Sequence, residues 1–306
     1  MKGKEPHVSF SLSSAIPYII LVLVIAIITV LIIFCSKPNS VKKTTIDPES
    51  LNQIASIDND DAIEVIAPEK VNSPQTSFNT LLRWGIVRKP DNQVPGTDPG
   101  TPEILKKYQS LYIGNPDKKV VYLTFDEGYE AGYTAKILDV LKEKDAKAAF
   151  FITGHYFNTE KSLVKRMLDE GHTVGNHTLN HKCLPMLQES EIETEVMGLD
   201  KMFFNEFGVH MTFIRPPKGE YSQKSLEITY KYGLKNVFWS FAYDDWYRDK
   251  VRGADYARDI VMRNLHNGEI MLLHAVSQDN AAALSEIITD IRQKGYELGR
   301  LEDITS

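Results

Sequence analysis

The sequence predicts an α/β protein: a parallel sheet or barrel wrapped by helices, set behind an uncharged membrane-length segment. Three observations carry this reading. Short β-branched and aromatic runs alternate about seven times with helical stretches, the pattern of a parallel sheet. Titratable residues gather where those runs stop, and parallel α/β folds collect their functional groups at the carboxyl ends of strands. Ahead of all this, Ala15 to Cys35 carry no charge over 21 residues.

The N-terminal part reads as tail, anchor and tether. Residues 1–14 form a short tail. Residues 15–35, "AIPYIILVLVIAIITVLIIFC", are apolar on every face and long enough to cross a hydrocarbon core of roughly 30 Å. A cleavable signal peptide has a shorter apolar region and small residues at its cleavage site, so the segment is expected to stay as an anchor. Phe34 before Cys35 argues against a lipoprotein cysteine. Lys2 and Lys4 precede the span, and Lys37, Lys42 and Lys43 follow it. That count slightly favours a cytoplasmic C-terminal side, but large domains translocate against so small a bias. Residues 36–76 are rich in Ser, Asn, Asp, Pro and Lys, and "IDNDDAIEV" fits no calcium-loop spacing. As a flexible tether of about 40 residues they span roughly 35 Å.

Residues 77–306 form the expected domain. Its strands are "KVVYLTF", "AKAAFFI", "HTVGNH", "TFIRP", "LKNVFWSF", "EIMLLH" and "YELGRL". "TAKILDVLKEK" and "EKSLVKRMLDE" space their apolar residues as helices do. "GADYARDIVMRNLHNG" and "SQDNAAALSEIITDIRQKG" both run to a terminal Gly, a common helix stop. The chain has 306 residues and a net charge of -6, which gives no footprint for nucleic acid. Two cysteines in different regions, Cys35 and Cys183, make no disulfide framework. Walker A, GxGxxG, GxSxG and CxxC motifs are missing.

The strand ends supply the candidate chemistry. The first strand stops on Asp126 and Glu127, followed by Gly128. His177 ends the third strand, Arg215 the fourth, and His274 the sixth; Asp244 and Asp245 follow the fifth. In "NHTLNH", His177 and His181 stand four apart, which suits either a surface pair or two imidazoles facing one metal from a helical turn. Two His and one Glu would leave positions open for water, as a hydrolytic metal site requires. One of the paired acids would then bind metal and the other act as base. Successive strand residues face opposite ways, so this needs a bend at the acids, which Gly128 would permit. Otherwise the pair is a solvated strand end. His274 is either a satisfied core histidine or, beside a carboxylate, a protonated acid. "RPPKGEYS" is a stiff turn whose Arg215 could orient a carboxylate, and Trp246 in "YDDW" could face a sugar.

In order, "TFDEG", "HTLNH", "RPPKG", "DDW" and "LLH" resemble the five motifs of the polysaccharide deacetylase family. The resemblance runs from residue 77 to the C-terminus. It implies an irregular (β/α)7-type barrel, the NodB homology domain, and metal-dependent removal of acetyl groups from polysaccharides. By motif, Asp126 would be the base, held by Arg215. Glu127, His177 and His181 would bind a divalent metal, zinc foremost. Asp245 would pair with the acid His274, and the Lys218 N–H would hold the oxyanion. Trp246, Tyr221 and Leu273 would face the substrate. Three positions depart from the family pattern: Glu127 where Asp is usual, Lys218 where Tyr is usual, and Ala242 where an Asp is usual. "WGIVRKP", "YLTFDEGYEAGYT", "FFITGHY" and "LLHAVSQDNAAAL" look like the delta-lactam-biosynthetic de-N-acetylases of spore-forming bacteria. That implies action on N-acetylmuramic acid in spore-cortex peptidoglycan, and a domain outside the membrane. The rival readings are a deacetylase of N-acetylglucosamine, a glycan-binding module with little turnover, and a non-haem iron oxygenase with two His and a carboxylate.

Overall fold

A computed structural model describes residues 78–90 and 92–304. The tail, anchor and tether expected at 1–76 lie outside the described residues. Among the described residues no helix is long and apolar enough to cross a membrane.

The domain opens with three two-residue strands, β1 (Leu82–Arg83), β2 (Ile86–Val87) and β3 (Gly96–Thr97), and helix α1 (Thr101–Lys107). The alternation then begins: β4 (Val120–Glu127), α2 (Thr134–Glu143), β5 (Ala148–Ile152), α3 (Gly154–Thr159), α4 (Lys161–Asp169) and β6 (Thr173–Asn176). It continues with α5 (Glu189–Phe207), β7 (Phe213–Ile214), β8 (Glu220–Tyr221), α6 (Gln223–Lys231) and β9 (Lys235–Asn236). It closes with α7 (Ala254–Asn264), β10 (Glu269–His274), α8 (Gln278–Gln293) and β11 (Glu297–Leu298).

The main sheet runs β10-β4-β5-β6-β7-β9, with every pair parallel and β11 alongside the start of β4. It curls. Leu111 bridges Val237 just beyond β9, Ile113 bridges Glu269 on β10, and Phe241 bridges Met271. These contacts bring the β9 edge round toward β10. The result is a curled parallel half-barrel instead of seven regular strand–helix repeats, because β7 and β9 are only two residues long. β8 leaves the main sheet and pairs antiparallel with β1.

Residue parity on the two central strands sorts the layers. Val121, Leu123 and Phe125 of β4 and Met271 and Leu273 of β10 face a core shared with α2, α7 and α8. Tyr122 and Ile270 face the concave side with Phe151 and Val237. Burying each large apolar side chain contributes about 1.5–3 kcal/mol, so the register of these strands is strongly specified. Parity also sorts the strand ends: even-numbered residues at the ends of β4 and β10 open into the hollow, and odd-numbered ones turn toward the helices.

Candidate active site

Asp126 occupies the concave face at the end of β4, and its partner is Arg215, which directly follows β7. Arg215 is fully buried. Its Nη1 donates to Asp126 Oδ1 at 2.7 Å, its Nε to the Val237 carbonyl at 3.0 Å, and its Nη2 to the Phe238 carbonyl at 3.4 Å. The guanidinium lies over Phe151, with Cζ 4.2 Å from the ring centroid. A buried cation without a carboxylate is strongly destabilising, so this pair is obligatory in both directions. Burial works against the Asp126 anion, but Arg215, with His177 and His274, outweighs it and holds the carboxyl below its ordinary range. Oδ2 faces His177 Nε2 at 3.6 Å.

The two imidazoles of "NHTLNH" do meet, with ring centroids 4.8 Å apart, but no helical turn carries them. The chain leaves β6 through left-handed backbone at Thr178 (φ 67°) and His181 (φ 56°). His177 Nδ1 lies 2.8 Å from the Arg215 carbonyl, which can only accept. Nδ1 therefore carries the proton and Nε2 points a lone pair at the cavity. Burial, with His181 adding, pulls His177 down to about 4, so the ring is neutral near pH 7.

A residue the motifs do not announce holds this loop. Glu195 of α5 is buried and accepts from the Asn180 N–H at 2.7 Å and the Asn180 side-chain amide at 2.8 Å. Its carbonyl accepts from the Leu179 N–H at 2.8 Å. Gly154 at the start of α3 allows the close approach, since a Cβ there would lie 2.6 Å from the Leu179 carbonyl oxygen. The one sequence signal was an acid placed one residue before Val196, inside the apolar stripe of α5.

On the neighbouring strand β10, in register with Asp126, His274 Nδ1 bonds Asp245 Oδ1 at 2.7 Å, and the His274 backbone N–H donates to Oδ2 at 2.8 Å. Burial opposes an imidazolium here, but the charge and hydrogen bond of Asp245 prevail, and the ring is held above its ordinary value. Trp246, half exposed, sits edge-on to His274 with ring centroids 5.6 Å apart. Lys218 joins from a turn in which its own φ is 58°. Asp126, His177, His181, Lys218, Trp246 and His274 all line one cavity of about 1210 Å³.

Three expected site residues are placed elsewhere. Glu127 is wholly buried and off the cavity wall. β4 runs without a bend through Glu127, which pairs with Ile152, so its side chain faces away from Asp126 toward Thr134 and Tyr156. Neither of its carboxylate oxygens has a hydrogen-bond partner. Burial, then the charges of Glu130 and Asp126, push its pKa well up. Leu273 is also on the helix side by parity, and Leu272 takes the place on the cavity wall. Tyr221 is buried against Trp84 and Phe238, with its hydroxyl 3.5 Å from Thr101.

These placements bear on a metal. The ligand set Glu127–His177–His181 does not assemble, and among the described residues no group of three or more His, Cys, Asp or Glu is disposed to hold an ion. What the cavity does hold is a carboxylate held below its ordinary range by an arginine, beside an imidazole raised above its ordinary value by a second carboxylate. Such a pair can take a proton from water on one side of a bound group and deliver one to a leaving atom on the other.

The family model described as polysaccharide deacetylase matches residues 113–237. An uncharacterized 30.6 kDa protein of Geobacillus stearothermophilus is 43% identical over 74% of this chain and 86% of its own length. The peptidoglycan-N-acetylmuramic acid deacetylase PdaA of Bacillus subtilis is 39% identical over 74% of this chain and 86% of its own. The solved structure of that PdaA, a family 4 carbohydrate esterase, superposes with a TM-score of 0.72 at 39% identity, covering 74% of this chain and 97% of the other. A family 4 carbohydrate esterase from Bacillus anthracis superposes with a TM-score of 0.62 at 40% identity, over 74% and 96%.

Proposed function

The chain belongs to the polysaccharide deacetylase family, and on that premise we propose that it hydrolyses the acetamide of N-acetylmuramic acid residues in peptidoglycan. One observation carries the chemistry: Asp126, held by Arg215, and His274, held by Asp245, are register partners on the adjacent strands β4 and β10 and line one cavity. The likeness to PdaA supports the substrate.

In this reading a water molecule adds to the acetyl carbonyl carbon. Asp126 Oδ2 takes its proton, while Arg215 keeps the carboxylate oriented and ionised. The oxyanion that forms is held by the backbone N–H of Lys218, whose left-handed turn lies on the cavity wall. His274 gives its proton to the nitrogen as the C–N bond breaks, and acetate and the free amine leave. Without that proton the amide nitrogen is a very poor leaving group. Deacetylases of this family are in general metal-dependent, and a bound metal polarises the carbonyl and acidifies water. Glu127 is not placed to complete its ligand set here, so each step above rests on the chain's own side chains. Zinc suits the two cavity imidazoles and is the ion to assay first.

The exposed Lys218 side chain supports the choice of muramic acid. Muramic acid carries a lactyl group at O3, beside the acetamide, and once its peptide is removed that group ends in a carboxylate. An ammonium on the wall attracts this anion, as a neutral phenol does not. The uncharged run at 15–35 supports an anchored enzyme; the placement of its domain on the wall side rests on the likeness to the peptidoglycan deacetylases, against a slight opposite bias in the flanking lysines. Protease added to intact protoplasts should reach the domain, and protection until lysis would refute that placement. For the activity, mass spectrometry of digested glycan should show loss of acetyl from muramic acid in peptide-free strands. Turnover of chitin oligomers with none on muramic acid would reassign the enzyme to N-acetylglucosamine.

A further inference from the structure

The hydrogen bonds around His274 do not end at Asp245. Asn280, in the first turn of α8, is buried, and its Nδ2 donates to Asp245 Oδ2 at 2.5 Å and to the His274 carbonyl at 3.3 Å. Its Oδ1 accepts from the Tyr243 hydroxyl. The Asn280 backbone N–H is itself tied to Ser277 Oγ at 3.2 Å, so the residue is fixed from both ends.

The directions of these bonds are forced. A carboxylate oxygen and a carbonyl oxygen only accept, so the Asn280 NH₂ must face them. Its Oδ1 must then face Tyr243, whose hydroxyl must donate. Burial, then the Asp245 charge, keep that phenol protonated. Asp245 Oδ2 receives two donors, the Asn280 amide and the His274 backbone N–H, which leaves Oδ1 for His274 Nδ1. The imidazole is thereby held with Nδ1–H on Asp245 and Nε2 turned to the cavity. Neither Asn280 nor Tyr243 adds a charge. Together they form a neutral brace on a charged dyad, of the kind that fixes ligand orientation in metal sites.

We propose that Asn280, itself oriented by Tyr243, is a positioning residue of the acid arm: it locks the Asp245 carboxylate in the rotamer that presents His274 to the leaving nitrogen. The proposal rests on the deacetylase reading for its kinetic consequence, but not for its effect on the imidazole. Nothing in the five motifs marks Asn280, which lies six residues beyond His274 on a different element.

Released from Asn280, Asp245 loses one of the two donors that fix its Oδ2, and its pairing with His274 weakens. The other groups that reach the His274 ring are unchanged: Asp126 from β4, Arg215 from beyond β7, His181 from the loop after β6 and Trp246 edge-on. The test is a histidine NMR titration of the whole chain in parallel with the pH–rate profile. An acid must be protonated to act, so activity falls as pH rises through the His274 transition. Asn280→Ala should move both the His274 titration and the alkaline limb down by about half to one pH unit. It should also lower kcat about 10- to 100-fold with little change in KM. Tyr243→Phe, which keeps nearly all the buried volume, should shift both in the same direction by less, and it serves if Asn280→Ala does not fold. A His274 titration that stays put in the folded variants overturns the proposal, whatever happens to kcat. A titration that shifts in a chain with no deacetylase activity upholds the brace and refutes the function instead.

Discussion

At the end of β4 two adjacent carboxylates meet opposite surroundings: Asp126 is clasped by Arg215, and Glu127 has no hydrogen-bond partner at all. Parity along an unbent strand is the cause, and it separates the two residues experimentally. Asp126→Asn should lower kcat by about 10²–10⁴-fold, the usual worth of a general base. Because it leaves Arg215 buried against a neutral group, it should also cost about 3–5 kcal/mol in a urea melt. Glu127→Gln should keep the rate within about threefold, since no reacting group is removed. Any metal the purified protein carries on the two cavity imidazoles should be unchanged in this variant and lost when His177→Ala is combined with His181→Ala. The stability effect of Glu127→Gln has a definite sign. A carboxyl whose folded pKa is raised keeps a proton that the unfolded chain releases above about 4.5, so folding is penalised as pH rises from there. The gain in Tm from Glu127→Gln should therefore be larger at pH 7 than at pH 4.5. Loss of metal in Glu127→Gln would restore it to the ligand set.

Loops between elements decide whether the site residues meet, and α5 shows how a helix can act on a loop it merely adjoins. Glu195→Ala removes the acceptor for both Asn180 donors. Hydrogen exchange at the Asn180 amide should quicken, and kcat should fall by about 10- to 100-fold as the imidazoles lose their placement. Glu195→Gln, which keeps one acceptor oxygen, should retain most of the rate. The elements themselves were unequally legible. β10 reads off the sequence residue for residue as "EIMLLH", and β4 and β5 read with ends shifted by one or two residues, β4 running on through Asp126 and Glu127 and β5 starting at Ala148, because strands buried on both faces are continuous apolar runs. α5 was harder. Its buried face holds Ile192, Val196, Leu199 and Phe203 at helical spacing, but Glu195 and Asp200 are buried among them, so the apolar stripe is interrupted. The motifs contain the residues of both hydrogen-bonded pairs, Asp126–Arg215 and Asp245–His274. Glu127 and Leu273 were misplaced because a motif does not state which face a strand residue takes. Tyr221 was misplaced because β8 leaves the main sheet to pair with β1, a partner no local pattern announces.

For the whole domain, acid stability turns on histidines that the fold buries uncharged. His172, at the start of β6 and away from the cavity, is pulled by burial, with Lys147 adding, from 6.5 down to about 4. Between those values the unfolded chain binds a proton that the folded chain refuses, so stability falls as pH drops through that window. The loss from His172 is about 3 kcal/mol by pH 4. Urea melts from pH 7 to pH 4 should show this slope, and His172→Gln should flatten it. The fully buried Arg215 has a wider consequence. Its acceptors come from two separate stretches of chain, at Asp126 and at Val237–Phe238. Val237 is brought there by the pairing of β7 with β9, and Asp126 by the intervening strands β5 and β6 that link β4 to β7. With Asp126 as the proposed base, the pair is expected to act as a gate on activity, because a partly folded chain lacks it. Turnover and far-UV circular dichroism should accordingly disappear at one midpoint on denaturation. An active species that survives past the loss of the sheet would show that the gate is open.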